Sequence, residues 1–257
     1  MNKTTSLLIW ALLLSLAACG KQEADRASGA NAGEKAAEHS YIGGPDGRSE
    51  DDTPVAAEQA ASGLPQPDMK KPLSSYPELQ SGQQIMFLYV AASKLPPDYP
   101  KLAEWISDDY RMTSDNFRKN DLLSALKPQM EQKIKQAEAN PYAWMQVDGV
   151  SLEPYDFERK GFSVGEFAGN QERYFYDVSQ YRLRWANADQ VQFVSVPDEA
   201  KAREIETLRS QYVVKAKVYF FAQSADLNSR IVQAYVTHVV ITDQSGRMLV
   251  EYGPQGG

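Results

Sequence analysis

Cysteine is nearly absent: Cys19 is the only one in 257 residues, so all thiol chemistry rests on the fate of one side chain. Histidine is almost as scarce, with His39 and His238 alone. A zinc site of the usual His/Cys/carboxylate kind would need one folded histidine plus acids, and no H-E-x-x-H spacing is present. Basic residues are outnumbered, 27 Lys and Arg against 34 Asp and Glu. No Lys/Arg cluster supplies the positive footprint that a phosphate backbone requires, which excludes nucleic acid as a partner. The glycine stretch "GFSVGEFAG" lacks the lysine and the serine or threonine of a phosphate-binding loop, and no G-x-G-x-x-G occurs. A serine hydrolase of the G-x-S-x-G type is excluded as well. No cofactor is implied by anything in the chain. Long apolar runs are missing too. The run from Ser6 to Ala18 has 13 residues, against the roughly 20 that a helix needs to cross a hydrocarbon core.

That short run is nonetheless the sharpest signal present. A polar leader with one cation, Lys3, precedes it and small residues follow, which is the three-part layout of a secretory signal peptide. Its last four residues, Leu16-Ala17-Ala18-Cys19, resemble the lipobox of bacterial lipoproteins. The resemblance implies cleavage after residue 18, a signal peptide over 1–18, and lipidation of Cys19. Two or more acyl chains make a stable membrane anchor where one is marginal. By the sorting rule of that family, Gly20 and Lys21 after the cysteine imply the outer membrane rather than the inner, with the chain facing the periplasm. Once Cys19 carries lipid, no thiol is left for a disulfide, a thiolate ligand or a cysteine nucleophile.

From Gly20 to Ser75 the large apolar side chains number six: Tyr41, Ile42, Val55, Leu64, Met69 and Leu73. Such a stretch buries too little surface to offset its ordering entropy. Residues 19–75 therefore read as the lipidated cysteine and a flexible tether, with a typical span on the order of 40 Å.

Residues 76–257 are enough for one domain with a sizeable core. The first half has helical periodicity. "SGQQIMFLYVAASKL" begins on a capping residue, Ser81, and "PKLAEWISDDY" sets Leu102, Trp105, Ile106 and Tyr110 on one stripe. In "TSDNFRKNDLLSALKPQMEQKIKQAEANP", Thr113 or Ser114 is a candidate cap and Leu123, Leu126, Met130, Ile134 and Ala137 recur at three and four. Pro128 should kink this helix or start a second one, and Asn140-Pro141 closes it. The second half changes period. "RYFYDVSQYRLRW" and "VQFVSV" read as strands, and "PDEAKAREIETLRS" as a helix aligning Ala202, Ile205 and Leu208. "QYVVKAKVYFFAQ", "SRIVQAYVTHVVIT" and "RMLVEY" alternate as strands, with a turn at Asp243 to Gly246, so these three form an antiparallel meander. Helices first and strands later predict an α+β fold, with helices packed on a mainly antiparallel sheet. The stretch "YRMTSDNFRKNDLLSALKPQM" is similar to an uncharacterised family of bacterial lipoproteins with a C-terminal domain of unknown function, which implies no activity.

Two residue patterns bear on function. Arg173, Arg182 and Arg184 interleave with Tyr174, Tyr176, Tyr181 and Trp185, and Tyr, Trp and Arg dominate binding hot spots. These seven form the candidate binding surface, although the same residues also build ordinary sheets, with aromatic pairs on one face and arginine stems on the other, and that structural role is the favoured reading. The acid pairs Asp51/Asp52, Asp108/Asp109 and Glu153/Asp156 are of the type a glycoside hydrolase uses across a cleft. His238 is placed on one strand face with Val232, Ala234, Val236 and Val240. The expectation is a lipid-anchored periplasmic binding module that meets an envelope protein or cell-wall partner. The alternative is a carboxylate-dependent hydrolase of cell-wall glycan or peptide.

Overall fold

The computed structural model describes residues 63–254. Cys19, the leader, His39 and Asp51/Asp52 lie outside the described residues. Helix α1, Gly82–Ser93, begins as the sequence predicts: the Ser81 hydroxyl accepts from the Gln84 N–H, and the Gln84 side chain returns to the Ser81 N–H. It buries Ile85, Met86, Phe87, Leu88, Val90 and Ala91 because it is sandwiched between the sheet and a second helix layer. Helix α2, Tyr99–Ile106, stops at Ser107, whose extended backbone lets its hydroxyl cap α3, Asp108–Met112. Leu102 and Tyr110 are both buried, but on two helices rather than one. Helix α4, Asn116–Ala139, is capped by Asp115, not by Thr113 or Ser114. Its carboxylate takes the N–H groups of Phe117 and Arg118, and a charged acceptor makes the stronger cap. Pro128 sits inside one continuous helix. Asn140 closes it, as predicted.

The strands are β1, Tyr142–Val147; β2, Gly161–Ser163; β3, Glu172–Arg173; β4, Arg182–Trp185; β5, Phe193–Ser195; β6, Lys215–Asp226; β7, Ile231–Thr242; and β8, Met248–Tyr252. Helix α5, Ala188–Val191, lies between β4 and β5, and α6, Glu199–Ser210, between β5 and β6. The main sheet has the order β1-β6-β7-β4-β3, with β8 also on β7, and every pairing is antiparallel except β4 with β7. The α+β architecture and the β6-β7-β8 meander are as the sequence predicts. The turn at Asp243 to Gly246 works through Gly246 at φ +87° and an Asp243 carboxylate that takes the N–H groups of Ser245 and Arg247. In contrast, "RYFYDVSQYRLRW" is not one strand. A 3-10 turn at Tyr176–Val178 separates β3 from β4, held because the Asp177 carboxylate accepts from the Gly82 N–H at the start of α1 (2.8 Å).

One face of the sheet forms the main core with α1. It presents Ala143 and Met145, then Val218 and Phe220, then Val232, Ala234 and Val236, and Leu183 and Trp185 from β4. Val240 and His238 do not share this face, contrary to the strict alternation. A bulge makes Phe220 face Val236 but Tyr219 face His238, leaving Thr237 as the extra residue. The side-chain parity of β7 flips there, so Val239 and Ile241 enter the core while His238 and Val240 turn to the opposite face. The Asn187 amide clamps this site: its Oδ1 accepts from the Val236 N–H (2.8 Å) and its Nδ2 donates to the Val236 carbonyl (3.0 Å).

The opposite face carries Tyr142, Trp144, Tyr219, Phe221 and Tyr235, and residues 64–79 run across part of it as a strap. Gln223 donates to the Pro65 carbonyl (3.1 Å), the Tyr142 hydroxyl accepts from the Asp68 N–H (2.7 Å), and Lys71 sits over the Tyr142 ring. Tyr76 plugs between Tyr142 and Tyr219, its hydroxyl 3.2 Å from that of Thr237. Residues 77–79 then pair with Trp144 along the edge of β1. The compositional boundary at residue 76 thus falls inside a segment attached to the domain. Its few apolar side chains suffice because the sheet supplies the aromatic surface they need.

Candidate functional site

A groove of about 540 Å³ opens between the loop 154–160 and α6. The loop is built by Asp156, whose carboxylate accepts from the Glu158 and Arg159 N–H groups (both 2.9 Å). Lys160 follows in the left-handed region (φ 55°) and directs the chain into Gly161. Glycine is required there, since a Cβ would lie 2.1 Å from the Val194 carbonyl across the β2–β5 pair. Tyr155 forms the floor. Its hydroxyl donates to the Val196 carbonyl (3.0 Å), its N–H to Glu206 (3.2 Å), and its ring packs edgewise on Phe162 and Phe157.

Phe157 stands at the mouth, 83% exposed, with Lys160 and Arg203 contributing positive charge and Glu199 and Glu206 negative charge around it. The hydrogen bond from Arg209 holds the Glu206 carboxyl below its usual range, with the Tyr155 N–H assisting against burial, so Glu206 presents an ionised group. The groove can therefore clasp an apolar side chain and pair charges of both signs beside it.

The seven residues of the candidate binding surface do not form one surface. Tyr181 and Trp185 are buried, Tyr181 against Tyr89 and Trp185 against Phe167 and Phe220. Alternation along β4 carries Leu183 and Trp185 inward and leaves Arg182 and Arg184 on the outer face, where both pair with Glu172. Burial pushes the Glu172 carboxyl up, but the hydrogen bonds and charges of Arg184 and Arg182 outweigh it and the net displacement is downward. Arg173 grips the buried Glu166, which also accepts from the Trp185 indole N–H (3.1 Å). Tyr174 and Tyr176 alone stay exposed, edge to face at 5.8 Å. The arginines therefore build the sheet edge.

One member of each described acid pair has a local structural partner. Asp108 lies in the first turn of α3 and pairs with Arg111 (2.6 Å), while Asp156 is occupied by its turn. Ser124 and Lys127 stand three residues apart on α4, the spacing of a serine–lysine nucleophile, but Ser124 donates to the Asn120 carbonyl (2.8 Å) and Lys127 lies over the Tyr99 ring. Among the described residues there is no group of three or more His, Cys, Asp or Glu side chains that could hold a metal ion, and no helix long and apolar enough to cross a membrane. Sequence reasoning missed the groove because its walls come from two segments some 40 residues apart. The one local signal was a phenylalanine set between charges in "YDFERK". No family model, curated protein or solved structure matches the chain.

Proposed function

We propose that this chain is a lipid-anchored binding module of a bacterial envelope, tethered through Cys19 and recognising an extended peptide segment of an envelope protein in the groove beside α6. The anchor rests on the lipobox resemblance at Leu16 to Cys19. The observation that carries the binding role is Phe157, a large apolar ring left exposed at the mouth of a groove with ionised groups of both signs.

Mass spectrometry of the protein from membranes tests the anchor: an acylated Cys19 at the new N-terminus is expected, and a Cys19→Ala variant should stay unprocessed or lose its lipid anchoring. A photo-crosslinking residue at position 157, introduced in living cells, tests the groove. One discrete product that is lost in an Arg203→Glu variant is expected. The same product from a crosslinker at Lys133, on the exposed face of α4, would overturn the assignment. Turnover of purified peptidoglycan fragments, abolished by a single carboxylate change that leaves folding intact, would establish the hydrolase instead.

A further inference from the structure

A second groove, of about 350 Å³, opens where the strap begins. Ala91 and Ala92 line it near the end of α1, Ala137 near the end of α4, and Leu88 and Phe221 complete its apolar wall. Lys94 and Glu138 on its lining are exposed, and the Gln223 amide is already spent on the Pro65 carbonyl. Leu64 and Pro65, the first residues of the strap, line the groove as well, so the chain that precedes residue 63 sets out from the groove itself.

The residues that lead into it, "TPVAAEQAAS" from Thr53 to Ser62, carry the sequence marks of a short helix. Thr53 is a capping residue and Pro54 suits the first helical position, with Gly63 and Pro65 to end the run. Ala56, Ala57, Ala60 and Ala61 recur at three and four and share one face, while Glu58, Gln59 and Ser62 fall on the other. A helix this short does not hold itself in water and needs a surface on which to bury its apolar face. We propose that the occupant of the second groove is the chain's own segment 53–62, laid in as a helix with its alanine face on Ala91, Ala92 and Ala137. Three features select it over an outside partner. It is joined to the groove at Leu64, which gives it an effective concentration on the order of millimolar. Its small-sided face matches walls built of methyl groups, where an outside partner would bring a large aromatic or arginine anchor. It also prolongs an interface already in place, since residues 64–79 are fastened to the sheet at Pro65, Asp68 and Tyr76. The groove is separate from the one beside α6, and its filling does not depend on the anchor.

Hydrogen exchange read by mass spectrometry on the full-length protein tests this. Amides of residues 55–62 should exchange about tenfold or more slowly than in a free peptide of residues 53–62. Ala60→Asp, on the alanine face, should abolish that protection while α1 and α4 stay protected, and Ala92→Phe should do the same by filling the groove from α1. Glu58→Lys, on the opposite face, should leave it intact. A photo-crosslinking residue at Glu138, introduced in living cells, should return a link within the chain to residues 53–62. The assignment is overturned if the parent amides exchange at the free-peptide rate, if protection survives both Ala60→Asp and Ala92→Phe, or if position 138 links to another protein instead.

Discussion

Asn187 satisfies both backbone groups of Val236 with a single amide, at the point where β4 has ended and β7 is about to bulge. Alanine there leaves a buried N–H and a buried carbonyl unpaired, so Asn187→Ala should lower stability by roughly 1–3 kcal/mol in urea unfolding. Asn187→Asp keeps the acceptor but loses the donor, and should be no better than partly tolerated. The sequence hides this role, since partner and clamp are 49 residues apart. Local duties were legible. Ser81 is legible as a cap because it stands directly before the apolar helical run, and its partner Gln84 is only three residues away. His238 was placed on the wrong face because alternation counts residues and a bulge adds one. The arginines take the structural role the sequence favours, but their partner was not legible: an arginine next to an aromatic looks the same in sequence whether its glutamate is present across the strand or not.

At the scale of elements, α4 carries a built-in weakness. Pro128 lies on its exposed side with no N–H to return to the preceding turn, yet neighbouring turns and the packing of Met130, Ile134 and Ala137 keep the helix whole. Pro128→Ala should therefore raise the melting temperature, by an amount bounded by the roughly 3 kcal/mol that separates the two residues in a helix interior. An unchanged or lowered melting temperature would mean that the proline shapes a local bend the packing requires. A second helix starting at Pro128 is not what forms: α4 runs unbroken from Asn116 to Ala139 and packs on α1. The strands β6, β7 and β8 were legible because each is long enough to show its period. The two-residue β3 was not, and neither was the break before β4, which exists because Asp177 is drawn to the N-terminus of α1.

For the whole molecule, several carboxylates that hold segments together are displaced in one direction. Asp243 is held low by the Ser245 hydroxyl and by Arg247, and Glu206 by Arg209, while the two arginines beside Glu172 outweigh its burial. A carboxyl whose folded pKa lies below its unfolded value contributes stability that is complete above the unfolded range and lost as pH falls through the folded value. Melting temperature should thus be flat from neutrality to about pH 5 and fall below about pH 4, where free Asp and Glu titrate. Thermal melts across that range check it, and Asp243→Asn should shrink the acid-dependent part. The α+β class was visible because period 3.6 precedes period 2 along the chain. The parallel β4–β7 pairing and the strap were not, as each joins segments far apart in sequence.

The strap also decides how the domain meets a mechanical load. A pull at residue 63 reaches Gln223, then Tyr142, then Thr237 and the edge of β1, one attachment after another rather than all at once. Peeling residues 63–75 yields slack on the order of 40 Å before buried Tyr76 feels tension. The outer attachments, at Pro65 and Asp68, can give way before Tyr76 and Leu79, which belong to the cores, are disturbed, so a pull along the chain is met in stages.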